Sequence, residues 1–143
     1  METDTIAFQF IKFTTVPSYT TYINKTQQPA VGYNHTIGVY NGLTCSQKQA
    51  ELWLYQDIRN INNTLYKTFP YQLNTYQMVA LISLIQEITI DTFRTSKLYF
   101  YLLNKQYKFA SQEFKKYDMQ NTSVLRRIQE QNLFNYKGAS HEL

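Results

Sequence analysis

Acidic side chains are missing from the first third of this chain. Of ten aspartates and glutamates in 143 residues, none lies between Asp4 and Glu51. An enzyme that draws a glutamate or aspartate from positions 5 to 50 is therefore excluded. Cysteine is almost absent too, and Cys45 alone rules out a disulfide scaffold or a multi-cysteine zinc site. Long apolar runs are lacking; the longest, Met78 to Ile85, is broken by Ser83 and falls far short of a membrane span. The opening residues, acidic at Glu2 and Asp4 and then alternating in polarity, do not read as a leader. These absences predict a soluble chain, or one built into an intracellular or virion assembly.

Tyrosine, glutamine and asparagine are abundant instead. There are 13 tyrosines, and Gln and Asn are spread along the chain rather than clustered, which excludes a low-complexity tract. At this length a single domain over 1–143 is expected, with a core that needs neither disulfide nor metal. No Pro/Gly-rich linker or internal repeat divides it.

Three of the four glycines fall at 32, 38 and 42. Around them the chain is β-branched and aromatic with turn residues between, which predicts a small antiparallel sheet over about 18–42. Pro17 and Pro29 suit its corners. An N-terminal helix over about 4–13 precedes it, with Ile6, Phe10 and Phe13 on one side.

After residue 44 the pattern is helical. Thr44-Cys-Ser-Gln and Ser46-Gln-Lys-Gln are both capping boxes, and apolar residues from Ala50 to Leu65 recur at helical spacing until Phe69-Pro70 stops them. A second helix over 75–88 is apolar almost all round, as a helix surrounded by others is. Amphipathic stretches follow at about 95–103, 105–117 and 122–135, then a tail from 136 to 143. The fold class is α+β and mostly helical: a small sheet plus a helical lobe over about 44–135, built round a central buried helix.

Several segments then resemble one family, the bacteriophage-type lysozymes of glycoside hydrolase family 24. Ala80-Leu-Ile-Ser-Leu-Ile-Gln-Glu-Ile-Thr is similar to the family's central-helix pattern A-L-V-S-F-x-F-N-V-G. Phe93, Ser96-Lys-Leu98 and Leu103-Asn104 follow at matching spacing. Ala110-Ser-Gln-Glu-Phe-Lys-Lys-Tyr117 resembles A-x-x-E-F-x-x-W, and Arg126-Arg-Ile-Gln-Glu-Gln-Asn-Leu-Phe134 matches R-R-x-x-E-x-x-L-F without gaps. In the first half, Ala30-Val-Gly-Tyr-Asn-His-Thr36 resembles the strand T-I-G-Y-G-H-T. The resemblance runs from about 6 to 135 and implies a lysozyme-like fold.

What it implies about chemistry is different. Hydrolysis of a glycosidic bond needs a proton donor and a group that activates or orients water, generally two carboxylates of separated pKa. The family supplies a Glu at the end of its first helix, an Asp about nine residues later, and a Thr before the I-G-x-G-H strand. Counted back from Gly32 and His35, these positions fall on Thr15, Asn24 and Ala30. A slip of one residue gives Thr14 or Val16 and Ile23 or Lys25, none of them acidic. A hydroxyl at Thr15 is far too weak an acid to protonate a leaving group. Asn24 can hydrogen-bond a water but cannot neutralise positive charge, and Ala30 is inert.

Glu87 stands where the family has the Asn of its F-N-V-G turn, beside the cleft. It is either a relocated acid or a helix-end glutamate satisfied by a nearby Lys or Arg. His35 matches a structural family histidine, with Asp57 as a candidate partner. The other histidine, His141, lies in the tail, so metal ligation is not expected, nor is any cofactor. Arg126 and Arg127 read as scaffold in the family, with an anion grip as the alternative. Cys45, beside a helix start, reads as an incidental small residue rather than a nucleophile. The charge of +4 suits an anionic partner, but no nucleic-acid motif accompanies it. Tyr22, Tyr33 and Asn34 are the candidate binding residues, because amphipathic rings and amides suit both saccharides and protein interfaces.

The expectation is a lysozyme-fold chain without muramidase chemistry, serving as a structural or protein-interaction subunit of a larger assembly. The alternatives are a peptidoglycan-binding module and a divergent muramidase whose acid is Glu87.

Overall fold

Glu2 and Asp4 open the first helix, α1 (Glu2–Thr14), where carboxylates complement the positive end of the helix dipole. Asn62 donates a 2.7 Å hydrogen bond to Asp4 Oδ1, tying this end of α1 to a later helix. The computed structural model describes residues 2–118 and 123–136. His141 and the expected tail beyond Tyr136 lie outside the described residues.

Two strands follow, β1 (Ser18–Ile23) and β2 (Pro29–Gly32), paired antiparallel with Tyr22 opposite Ala30 and Ile23 opposite Pro29. The sheet is shorter than the expected span to residue 42. Asn34, Gly38 and Gly42 all take positive φ, so the chain turns repeatedly over the second part of that span. Among the described residues only isolated pairings, Val31 with His35 and Thr20 with Thr44, extend it. Replacing Gly32 is strained: its φ is +68°, and an added Cβ would meet the Ala50 Cβ at 3.1 Å.

Helix α2 (Gln47–Thr68) is capped by Ser46, whose side chain accepts from the Gln49 amide; Thr44 pairs with Thr20 instead of capping. Helix α3 (Thr75–Ile88) begins with a reciprocal box between Asn74 and Gln77 and is buried from Met78 to Gln86. It is the predicted central helix, packed on α1, on α2 and on α7 (Val124–Asn135). Between them the expected stretch over 95–103 is α5 (Lys97–Leu103), and a short helix that was not expected, α4 (Ile90–Arg94), precedes it. The one over 105–117 divides into α6 (Tyr107–Glu113) and a 3-10 turn (Phe114–Tyr117).

Ile11, Leu54, Ile58, Leu81, Leu84, Phe93, Leu102, Phe114 and Phe134 belong to one core cluster that all these helices feed. The architecture is α+β and mostly helical, as the sequence implies. Among the described residues no helix is long and apolar enough to cross a membrane.

Candidate functional site

The end of α1, the hairpin and the facing ends of α3 and α7 enclose an open cleft of about 590 Å³. Thr14, Thr15 and Val16 form one wall, Tyr22 to Lys25 and Gln27 another, and Glu87, Ser123 and Arg126 a third. Thr15, Asn24 and Glu87 are thus brought to one site. Ala30 sits behind them on β2, fully buried and offering no polar atom.

The polar side chains of Thr15 and Asn24 already have partners. Thr15 Oγ1 accepts a 2.8 Å hydrogen bond from Arg126 Nη1. Asn24 is buried, and its Oδ1 accepts from the Thr26 and Gln28 amides and from the Thr26 hydroxyl. Its Nδ2 donates to Asn34 Oδ1 at 2.8 Å, and Asn34 Nδ2 in turn donates to the Gln86 carbonyl at 3.0 Å. The Asn24 amide therefore staples the hairpin turn and leaves no acceptor for a cleft water.

Glu87 is the one carboxylate among the residues lining this cleft. Arg127 Nη2 lies 3.0 Å from its Oε1, while Arg126 Nη1 and Lys25 Nζ lie 3.9 and 3.8 Å from its Oε2. Ser123 donates to it at 3.4 Å. Burial pushes this carboxyl up, but the charges of Arg126, Arg127 and Lys25 outweigh burial and hold it below the ordinary carboxylate range. Such a group is ionised at neutral pH and has no proton to give.

Arg126 and Arg127 are buried and converge on Glu130, which is also buried. Arg127 Nε and Arg126 Nε lie 2.6 and 3.3 Å from its carboxylate, and Ser83 donates to it as well. Arg126 also donates to the Ser83 carbonyl at 2.8 Å. These arginines are scaffold, yet Arg126 also faces the cleft through Thr15 and Glu87.

Of the binding candidates, Tyr22 lines the cleft and is 37% exposed. Burial first, and the Glu87 charge second, push its phenol up, so it stays a neutral hydrogen-bond donor. Tyr33 does not line the cleft. It is buried in the core, its hydroxyl accepts from Gln47, and its carbonyl accepts from Gln86. Asn34 reaches the cleft edge, but its amide is committed to Asn24 and Gln86.

His35 lies apart from the cleft. Its Nδ1 is 2.8 Å from Asp57 Oδ2, and its ring stacks on Trp53 with centroids 4.8 Å apart. Among the described residues no group of three His, Cys, Asp or Glu is placed to hold a metal. Cys45 has no helix-start activation, since partial burial raises its thiol pKa.

Sequence reading did not single out Lys25, Ser123 or Gln27 as cleft residues. Lys25 follows the position aligned with the family aspartate, and that adjacency was the available signal. Ser123 carried no signal before the packing of α7 was known.

A family model described as phage lysozyme matches residues 16–132. An endolysin of Acyrthosiphon pisum secondary endosymbiont phage 1 is 34% identical over 87 residues, covering 61% of this chain and 60% of that endolysin. Among solved structures, the muramidase domain of SpmX from Asticaccaulis excentricus has a TM-score of 0.76 at 19% identity, covering 92% of this chain and 95% of that one. A mutant of P22 lysozyme has a TM-score of 0.69 at 22% identity, covering 92% and 96%. The endolysin from Escherichia coli O157:H7 phage FAHEc1 scores 0.72 at 18% identity over 90% of each chain.

Proposed function

We propose that this chain, which belongs to the phage lysozyme family, keeps the family's cleft without its hydrolytic chemistry and serves as a structural or protein-interaction subunit of a larger assembly. One observation carries the reading: the position aligned with the family's acid is a threonine held by Arg126, and the single cleft carboxylate is ringed by three cations. Two carboxylates of separated pKa are the requirement, and the described residues of this cleft include one, ionised at neutral pH. The alternative acid at Glu87 is disfavoured by the same charges that would otherwise make it a good anion.

A protein partner is supported by apolar exposure at the cleft mouth. Val16 is 92% exposed and Ile23 62%, and both line the cleft. Side chains of that kind suit the anchor of an interface more than a wet glycan groove. A non-catalytic grip on peptidoglycan is the second reading, favoured by the open cleft and the neutral Tyr22 phenol.

Sedimentation of insoluble cell wall with the purified chain separates the two. Co-sedimentation that Tyr22→Ala abolishes supports the glycan reading. Its absence, together with a chain that co-purifies in a stoichiometric complex lost in Val16→Asp, supports the subunit reading.

A further inference from the structure

The net charge of the whole chain, +4, is matched by one segment that does not line the cleft. Residues 97–117 carry Lys97, Lys105, Lys108, Lys115 and Lys116 against a single acid, Glu113. All five lysines are exposed, whereas Glu113 is buried and paired with Lys116 at 2.7 Å. What this face shows to solvent is therefore positive only.

Apolar side chains stand among these lysines. Phe100 is 58% exposed, Leu103 50% and Phe109 52%. Phe100 and Leu103 are three residues apart on α5 and share a face. Tyr101 joins α5 to α6: its ring meets Phe100 edge-on at 5.8 Å and stacks on Phe109 at 5.6 Å. The α5–α6 corner thus presents exposed aromatic and aliphatic side chains in a segment whose exposed charges are all lysines. None of these residues lines the cleft.

We propose that this α5–α6 corner is a docking surface for an anionic lipid bilayer, bound peripherally with Phe100, Leu103 and Phe109 at the headgroup–acyl boundary. Charge complementarity selects this occupant. Lysines on flexible stems suit a diffuse anionic surface, and each one near such a surface adds to binding. A protein interface core is depleted in lysine and enriched in arginine, and residues 97–117 contain five lysines and no arginine. Basic residues combined with exposed Phe and Leu are the composition of interfacial membrane binders. The inference stands independently of the reading of the cleft.

The test is flotation of the full chain with vesicles of 30% phosphatidylglycerol in phosphatidylcholine, against pure phosphatidylcholine. The expected result is at least tenfold stronger partitioning to the anionic vesicles. Lys105→Glu with Lys108→Glu, both at exposed positions, should reduce it by about tenfold or more. A Phe100→Trp variant should show a blue-shifted emission on the anionic vesicles that brominated lipid quenches, which charge attraction alone does not produce. Equal partitioning to both vesicle types overturns the proposal. So does unshifted Phe100→Trp emission with partitioning intact, which would mean charge attraction to the vesicles without seating of this corner at the headgroup–acyl boundary.

Discussion

Arg126 Nη1 donates a 2.8 Å hydrogen bond to Thr15 Oγ1, joining α7 to the end of α1 at the position where the family places its acid. The guanidinium would suit a carboxylate at residue 15, and it meets a hydroxyl. The same arginine reaches toward Glu87 on its own wall of the cleft, with Nη1 3.9 Å from Oε2.

Asn24 shows how far the scaffold has adapted. Restoring a carboxylate by Asn24→Asp keeps the three bonds its oxygen accepts but removes the donor that meets Asn34 Oδ1. Two oxygens then face each other in a buried site, and Asn34 cannot flip without opposing the Gln86 carbonyl. The variant should be less stable by about 1–3 kcal/mol at neutral pH. Urea unfolding followed by circular dichroism measures this, and an unchanged midpoint would contradict the network.

Glu87 makes a pH-dependent contribution with a defined sign. Its carboxyl is lower in the folded chain than in the unfolded one, because the three cations outweigh burial. The stability it provides is complete above the ordinary glutamate value of about 4.3 and is lost as pH falls through the folded value below that. Glu87→Gln should therefore cost about 1–3 kcal/mol at pH 7, with the gap to the parent chain closing as pH falls below about 4. Unfolding curves at pH 7, 5, 4 and 3 decide it; a gap that widens in acid would reverse the assignment.

Thr89 bears backbone strain that its neighbours explain. It stands at the position aligned with the glycine ending the family's central-helix pattern, and its φ is 81° at the junction of α3 and α4. A β-branched residue there is costly, while the cap it supplies to the Thr92 amide is long at 3.3 Å. Thr89→Gly should raise stability by about 1 kcal/mol, read as a higher urea midpoint. A fall would mean that the cap outweighs the strain.

The helices were legible where local signals agreed. The 75–88 span was read from its all-round apolar pattern and coincides with α3, and Ser46-Gln-Lys-Gln marked the start of α2. The end of the sheet was not legible, since β-branched residues from 33 to 42 gave a strand-like composition while Asn34, Gly38 and Gly42 imposed turns. Helix α4 was not anticipated, because its five residues, Ile90–Arg94, are too few to show an apolar periodicity. At the site, the positions Thr15, Asn24 and Ala30 followed from family register alone. The ring of cations round Glu87 did not, because Lys25, Arg126 and Arg127 come from elements far apart in the chain. Nor does the sequence reveal that Tyr33, beside a cleft motif, turns inward to Gln47.

The most direct measurement is reducing-end release from insoluble peptidoglycan by the folded chain, run beside Glu87→Gln at neutral pH. With Thr15 and Asn24 unable to act as acid and base, and Glu87 held ionised, the parent chain should release no more than that variant, and neither should exceed a protein-free blank. Release by the parent chain that Glu87→Gln abolishes would contradict the account and make Glu87 the acid of a divergent muramidase.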